Sequence, residues 1–135
     1  MTVKRILVEP NSLLRQVSKS VKEVSKEERH LMDDMLETMY AANGIGLAAI
    51  QIGIPKRIIV MDLSKNESKK EPRYFVNPVI KNKDTSKSTY EEGCLSVPNQ
   101  FAEIDRPKKC DVEYLDYNGE KKILNAEGLL ATCIQ

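Results

Sequence analysis

A capping box opens the segment that most restricts this fold: Ser25 can cap a helix whose third residue, Glu28, reaches back to it. Leu31, Met32, Met35, Leu36, Met39 and Tyr40 then recur at helical spacing, which predicts a helix over 26–42 with one apolar face. Asn43-Gly44 supplies left-handed residues to stop it. A helix with only one buried face needs a sheet or a second helix to cover it. His30, the one histidine, lies near the start of this helix among charged residues and reads as a solvated surface side chain.

The remainder supplies the sheet. Val3 to Val8 is extended until Pro10-Asn11-Ser12 breaks it, and Leu13 to Val17 is a short helical turn or irregular. Arg57 to Leu63 is a β-branched run that predicts a buried strand. Ser64 to Pro72 reads as a polar, lysine-rich loop, and Tyr74 to Ile80 as a strand that Pro78 kinks or confines to a sheet edge. Lys81 to Ser88 reads as a charged turn. Cys110 to Tyr114 alternates with period two, Asn118-Gly119 is a favoured hairpin turn, and Lys121 to Leu124 returns as the partner strand. Glu127 to Gln135 reads as a final helix with Leu130, Cys133 and Ile134 on its apolar face. Strands and helices do not alternate regularly, so the expected class is α+β with antiparallel sheets. A chain of 135 residues makes one domain.

Charge and cysteine usage narrow the function classes. Lysine and arginine total 21 against 20 acidic residues, a formal charge of +1, which argues against capture of nucleic acid or an anionic membrane. Three cysteines, at 94, 110 and 133, form no CxxC pair and suit a reducing compartment better than a disulfide framework. The apolar stretch at the N-terminus is too short for a signal sequence, so a cytoplasmic location is expected.

Two stretches carry chemistry. In Glu92-Gly93-Cys94-Leu95-Ser96, glycine lets the backbone pass close to a neighbour, and Pro98-Asn99 is expected to end the extended run, presenting the thiol at a strand end. A thiolate there can bind a soft or borderline metal or act as a nucleophile. Judged alone, it is first a small buried apolar residue. In Gly44-Ile45-Gly46-Leu47-Ala48-Ala49-Ile50-Gln51, two glycines permit close approach and unusual φ, the alanines keep the surface thin, and Gln51 offers an amide donor. The stretch can cradle a carbonyl oxygen or be a tight loop packed under a strand. A phosphate loop is disfavoured, because the third glycine of GxGxxG is missing and the stretch follows a helix.

Taken in order, GIGLAAIQ, EGCLS and the terminal AEGLLATCIQ resemble the bacterial peptide deformylases, whose signatures are GxGxAAxQ, EGCxS and a helix bearing QHExxDH. The first two match at every fixed position, and the resemblance runs from about Val3 to Gln135. It implies antiparallel sheets packed around a C-terminal helix, and an enzyme that hydrolyses the formyl group from the N-formylmethionine of nascent polypeptides. The implied cofactor is Fe2+, with Zn2+, Ni2+ or Co2+ as substitutes, held by Cys94 and the two histidines of HExxH.

The resemblance further implies that Gln51 and the Leu95 N–H stabilise the formyl oxygen, and that Gly46 bonds the peptide backbone. Ile45, Leu129 and Cys133 would line the methionine pocket, and Glu92 would pair with Arg106 to brace the cysteine loop. The implied partner is the nascent formyl-methionyl peptide, with the ribosome nearby and the enzyme a monomer.

The sequence ends at Gln135, where the family continues into HExxDH, so both histidine ligands and the glutamate base are absent. The expectation is a fragment of a longer product, in preference to a natural chain that has lost its chemistry, and a polypeptide inactive as it stands. Two rivals remain: a non-catalytic binder of formyl-methionyl peptides, and a cysteine-based enzyme or redox sensor. The latter needs an activating base or cation beside Cys94, and the sequence offers none adjacent.

Overall fold

A computed structural model describes residues 3–8, 11–64, 70–81, 87–107, 109–127, 130 and 134; for residues 87–91, 99, 100, 105 and 107 only the backbone course is described. Helix α1 spans Lys26–Ala41. The Glu28 side chain closes the capping box by accepting from the Ser25 N–H at 3.3 Å; the Ser25 hydroxyl also donates to Glu28 Oε1, and Lys56 adds a donor to Oε2 at 3.1 Å. Its other end closes as a Schellman motif, with the Gly44 N–H on the Met39 carbonyl at 2.9 Å and the Asn43 N–H on that of Tyr40 at 3.1 Å. Asn43 takes the left-handed conformation, at φ 57°, and Gly44 does not.

The strands are β1 (Gly46–Ala48), β2 (Ile58–Met61), β3 (Arg73–Lys81), β4 (Lys87–Cys94), β5 (Val97–Pro107), β6 (Lys109–Leu115) and β7 (Lys121–Glu127). Five of them form an antiparallel sheet in the order β1-β2-β3-β6-β7, while β4 and β5 form a separate hairpin. Alternation along the strands gives the large sheet two buried faces. Ile58, Val60 and Val76 meet Met32, Met35 and Met39 of α1 on one face. Met61, Phe75, Cys110, Val112 and Ala126 meet Ile134 on the other. The architecture is α+β, as expected.

Ser12–Arg15 is a single 3-10 turn, and the extended residues 3–8 join no strand. Leu7 nevertheless donates its N–H to the Gln51 carbonyl at 2.6 Å, and the Lys4 N–H reaches Thr38 Oγ1 at 2.7 Å. Pro78 does not put β3 at an edge. The strand runs inside the sheet and bulges between Val76 and Val79, with Asn77 at φ 52°. The side-chain amide of Asn77 holds the bulge by exchanging two 2.7 Å hydrogen bonds with the Val21 backbone. Glu127 does not start a helix; it closes β7 opposite Lys109. Leu130 and Ile134 are helical, and most of the terminal stretch, including Leu129 and Cys133, lies outside the described residues.

Pro98-Asn99 is not where the cysteine strand ends. The turn is Leu95-Ser96, and Val97 already belongs to β5. The pairing passes from Cys94 opposite Val97 to Gly93 opposite Phe101, so Pro98, Asn99 and Gln100 are extra residues on the longer strand. Proline is tolerated in such a bulge because no ladder hydrogen bond is asked of it.

Candidate active site

Cys94 is the last residue of β4 and is exposed, so it does not fill the core. Gln51 sits in a 3-10 turn over Ala49–Ile52, directly after β1. The Ala48 N–H donates to Gln51 Oε1 at 3.0 Å. At its other end Nε2 donates to Ser96 Oγ at 3.1 Å and lies 3.5 Å from Cys94 Sγ. GIGLAAIQ and EGCLS, 40 residues apart in sequence, are therefore in direct contact through one side-chain amide.

A second contact backs the first. A Cβ built on Gly44 would lie 2.7 Å from Leu95 Cδ1, so the absence of a side chain at 44 is what lets the turn after Cys94 seat against the helix end. This close approach is what the glycine supplies; neither Gly44 nor Gly46 has a positive φ. Leu95 is partly buried and packs on the core beneath α1.

β1 lies at the end of the five-stranded order, so its outer edge is free of any described strand. The Asp62 N–H donates to the Ile45 carbonyl at 2.9 Å, marking 45 and 62 as a hydrogen-bonded pair. Antiparallel alternation then places the next such pair at Leu47 and Val60, and turns the N–H and C=O of Gly46 toward the open edge. The Ala48 N–H, also outward, is the one that Gln51 takes. Ile45 is 47% exposed beside this edge.

A buried carboxylate and an ion pair fix the frame. Asp62 is buried and accepts from the Tyr40 hydroxyl and from the N–H groups of Ser64 and Glu71. Burial alone would raise its pKa, but those donors outweigh it and hold the carboxyl below its usual range. On the hairpin, Arg106 grips Glu92 with a fork, Nε to Oε2 at 2.8 Å and Nη2 to Oε1 at 2.9 Å, two residues from the thiol. The Glu92 hydrogen bonds raise the Arg106 pKa further.

Of the residues expected from the sequence, Gln51, Cys94, Leu95, Gly46, Ile45, Glu92 and Arg106 are described here, whereas Leu129 and Cys133 lie outside the described residues. Ser96 and Leu7, to which no role was assigned from the sequence, hold Gln51 from two sides. The signal for Ser96 was its place two residues after the thiol, a short polar side chain at a turn.

The sequence profile of the family described as polypeptide deformylase matches residues 3–135. The chain belongs to the polypeptide deformylase family. Its relatives are hydrolases, among them the peptide deformylase of Pelagibacter ubique, 76% identical over the whole of this chain and 78% of that protein. That of Phenylobacterium zucineum is 57% identical, over the whole chain and 80% of its own length. The crystal structure of the Ehrlichia chaffeensis peptide deformylase superposes with a TM-score of 0.92 at 41% identity, covering 98% of this chain and 79% of that one.

Deformylases are metalloenzymes, and a catalytic metal needs several donors converging on one point. Among the described residues no group of three or more His, Cys, Asp or Glu side chains converges as a metal site. Cys94 offers one sulfur, whereas a catalytic zinc-type site takes about three protein ligands. His30 stands on α1 with its side chain 68% exposed, 3.6 Å from Asp34. The described residues do not by themselves make a complete metal site.

Proposed function

We infer that this chain carries the substrate-receiving side of a peptide deformylase and takes up N-formylmethionyl peptides at the edge of β1. The observation that supports this most directly is the Gln51 amide, held at both ends and 3.5 Å from the exposed Cys94 sulfur. A fixed donor beside a reacting centre stabilises a carbonyl oxygen as it gains negative charge, and costs no rearrangement when it does so.

In this reading the peptide adds to β1 as a further strand, bonded by the outward groups of Gly46. Gln51 Nε2 and the Leu95 N–H donate to the formyl oxygen, and the methionine side chain meets Ile45, Leu129 and Cys133. Arg106, through Glu92, keeps the hairpin from shifting the thiol. Fe2+, or Zn2+, Ni2+ or Co2+ in its place, would use Cys94 as its thiolate ligand and supply the activated water. Among the described residues only Cys94 is placed to ligate such an ion, and one donor does not hold a catalytic metal, so these 135 residues by themselves are expected to bind the peptide without hydrolysing it. Its partner is a nascent formyl-methionyl chain, which places it in the cytoplasm.

Calorimetric titration with an N-formylmethionyl tripeptide tests the reading, alongside a formate-release assay after incubation with Fe2+ or Ni2+. Saturable binding, weakened in Gln51→Ala, is expected without formate. Equal binding by Gln51→Ala, or none by the parent chain, overturns the assignment of the site. Formate release at ordinary enzymatic rates overturns the inference of inactivity.

A further inference from the structure

The geometry points to Ser96 as the positioning residue that aims the Gln51 amide. A glutamine amide has an acceptor end and a donor end of nearly the same shape, so its direction depends on its neighbours. The Ala48 N–H can only donate, which assigns Oε1 to that side and leaves Nε2 facing the 94–96 turn. Nε2 carries two hydrogens. One goes to Ser96 Oγ at 3.1 Å, which directs the other toward the space beside Cys94.

Ser96 is only 4% exposed, so when its hydroxyl is removed water cannot readily take its place as acceptor. The amide would then keep the Ala48 bond and only the long 3.5 Å contact of Nε2 with the Cys94 sulfur, and would swing about the former. Ser96 is itself placed by the turn that Gly44 admits through its contact with Leu95. Deletion of this one hydroxyl therefore disorders the donor while leaving the thiol, the strand edge and the charged brace in place. The role rests on the reading of Gln51 as the formyl-oxygen donor.

The experiment compares Ser96→Ala and Ser96→Thr in the parent chain, and repeats Ser96→Ala in a Gln51→Ala background. Side-chain 15N relaxation reads the order of the Gln51 amide. In Ser96→Ala its order parameter is expected to fall below about 0.6, the flexible range, and in Ser96→Thr to stay at the parent value. Affinity for an N-formylmethionyl tripeptide should drop about three- to tenfold in Ser96→Ala, the size of one hydrogen bond. It should recover in Ser96→Thr and be unaffected by Ser96→Ala once Gln51 is gone. An amide as ordered in Ser96→Ala as in the parent overturns the proposal, and so does an equal loss of affinity with and without Gln51. If the parent chain binds no peptide, the deformylase site reading fails, and the order of the amide still decides the role of Ser96.

Discussion

Leu95 Cδ1 occupies the space that a side chain at Gly44 would need, 2.7 Å from the position of its Cβ. The clash is with the far end of a flexible side chain, and Gly44 has no positive φ to lose. Gly44→Ala should therefore fold, with stability within about 1 kcal/mol of the parent, since reduced freedom of the unfolded chain offsets part of the clash. Its effect should fall on the turn: the Leu95 methyl resonances move and formyl-peptide affinity drops. Urea unfolding together with methyl spectra checks both halves.

Arg106 and Glu92 form a bidentate pair with side chains 30% and 20% exposed. Arg106→Met leaves a partly desolvated carboxylate unpaired and should cost about 1–3 kcal/mol. Adding Glu92→Gln to it should restore part of the loss, because the stranded charge disappears. Chemical denaturation of the three variants gives the coupling energy; additive losses would show that the two side chains do not act as a unit.

Acid should loosen the start of α1. The Ser25 hydrogen bond, aided by Lys56, holds Glu28 below its ordinary pKa of 4.5 against the opposing effect of burial. Because the folded value is the lower one, the unfolded chain takes up the proton first. The stabilisation is complete above about 4.5 and drains away as pH falls through the folded value. Melting temperature measured from pH 6 to about 3 should decline less steeply in Glu28→Gln than in the parent, and the variant should start lower at pH 6.

Asn77→Ala removes both 2.7 Å bonds to the Val21 backbone and forces alanine to φ 52°. A loss of about 2–4 kcal/mol is expected. Asn77→Gly loses the bonds without the strain and should fall between parent and alanine. The difference between the two variants in urea isolates the backbone term.

The parts of the fold legible in sequence are those with local causes. The capping box and apolar stripe mark α1 to within a residue of its end, and Asn118-Gly119 marks the β6–β7 hairpin, where Gly119 has φ 83°. The β4–β5 hairpin was opaque because Pro98 and Asn99 look like a stop, and only cross-strand register shows them as surplus residues in a bulge. Pro78 suggested a kink or an edge, and the strand is an interior one that bulges; nothing near it in sequence reveals that Val21, 56 residues from Asn77, supplies the anchoring bonds. At the site, residue identity was readable from GIGLAAIQ and EGCLS, whereas the grip on Gln51 is long-range: Ser96 is marked only by its place beside the thiol, and Leu7 has no local signature.

That grip has a practical edge. The Leu7 N–H rests on the Gln51 carbonyl at 2.6 Å, so the segment that leads into the fold is also a guy-line for the residue at its working end. A bulky fusion ahead of Val3, or a protease cut beside Leu7, would slacken that line and be felt at Gln51, on the far side of the sequence from the thiol.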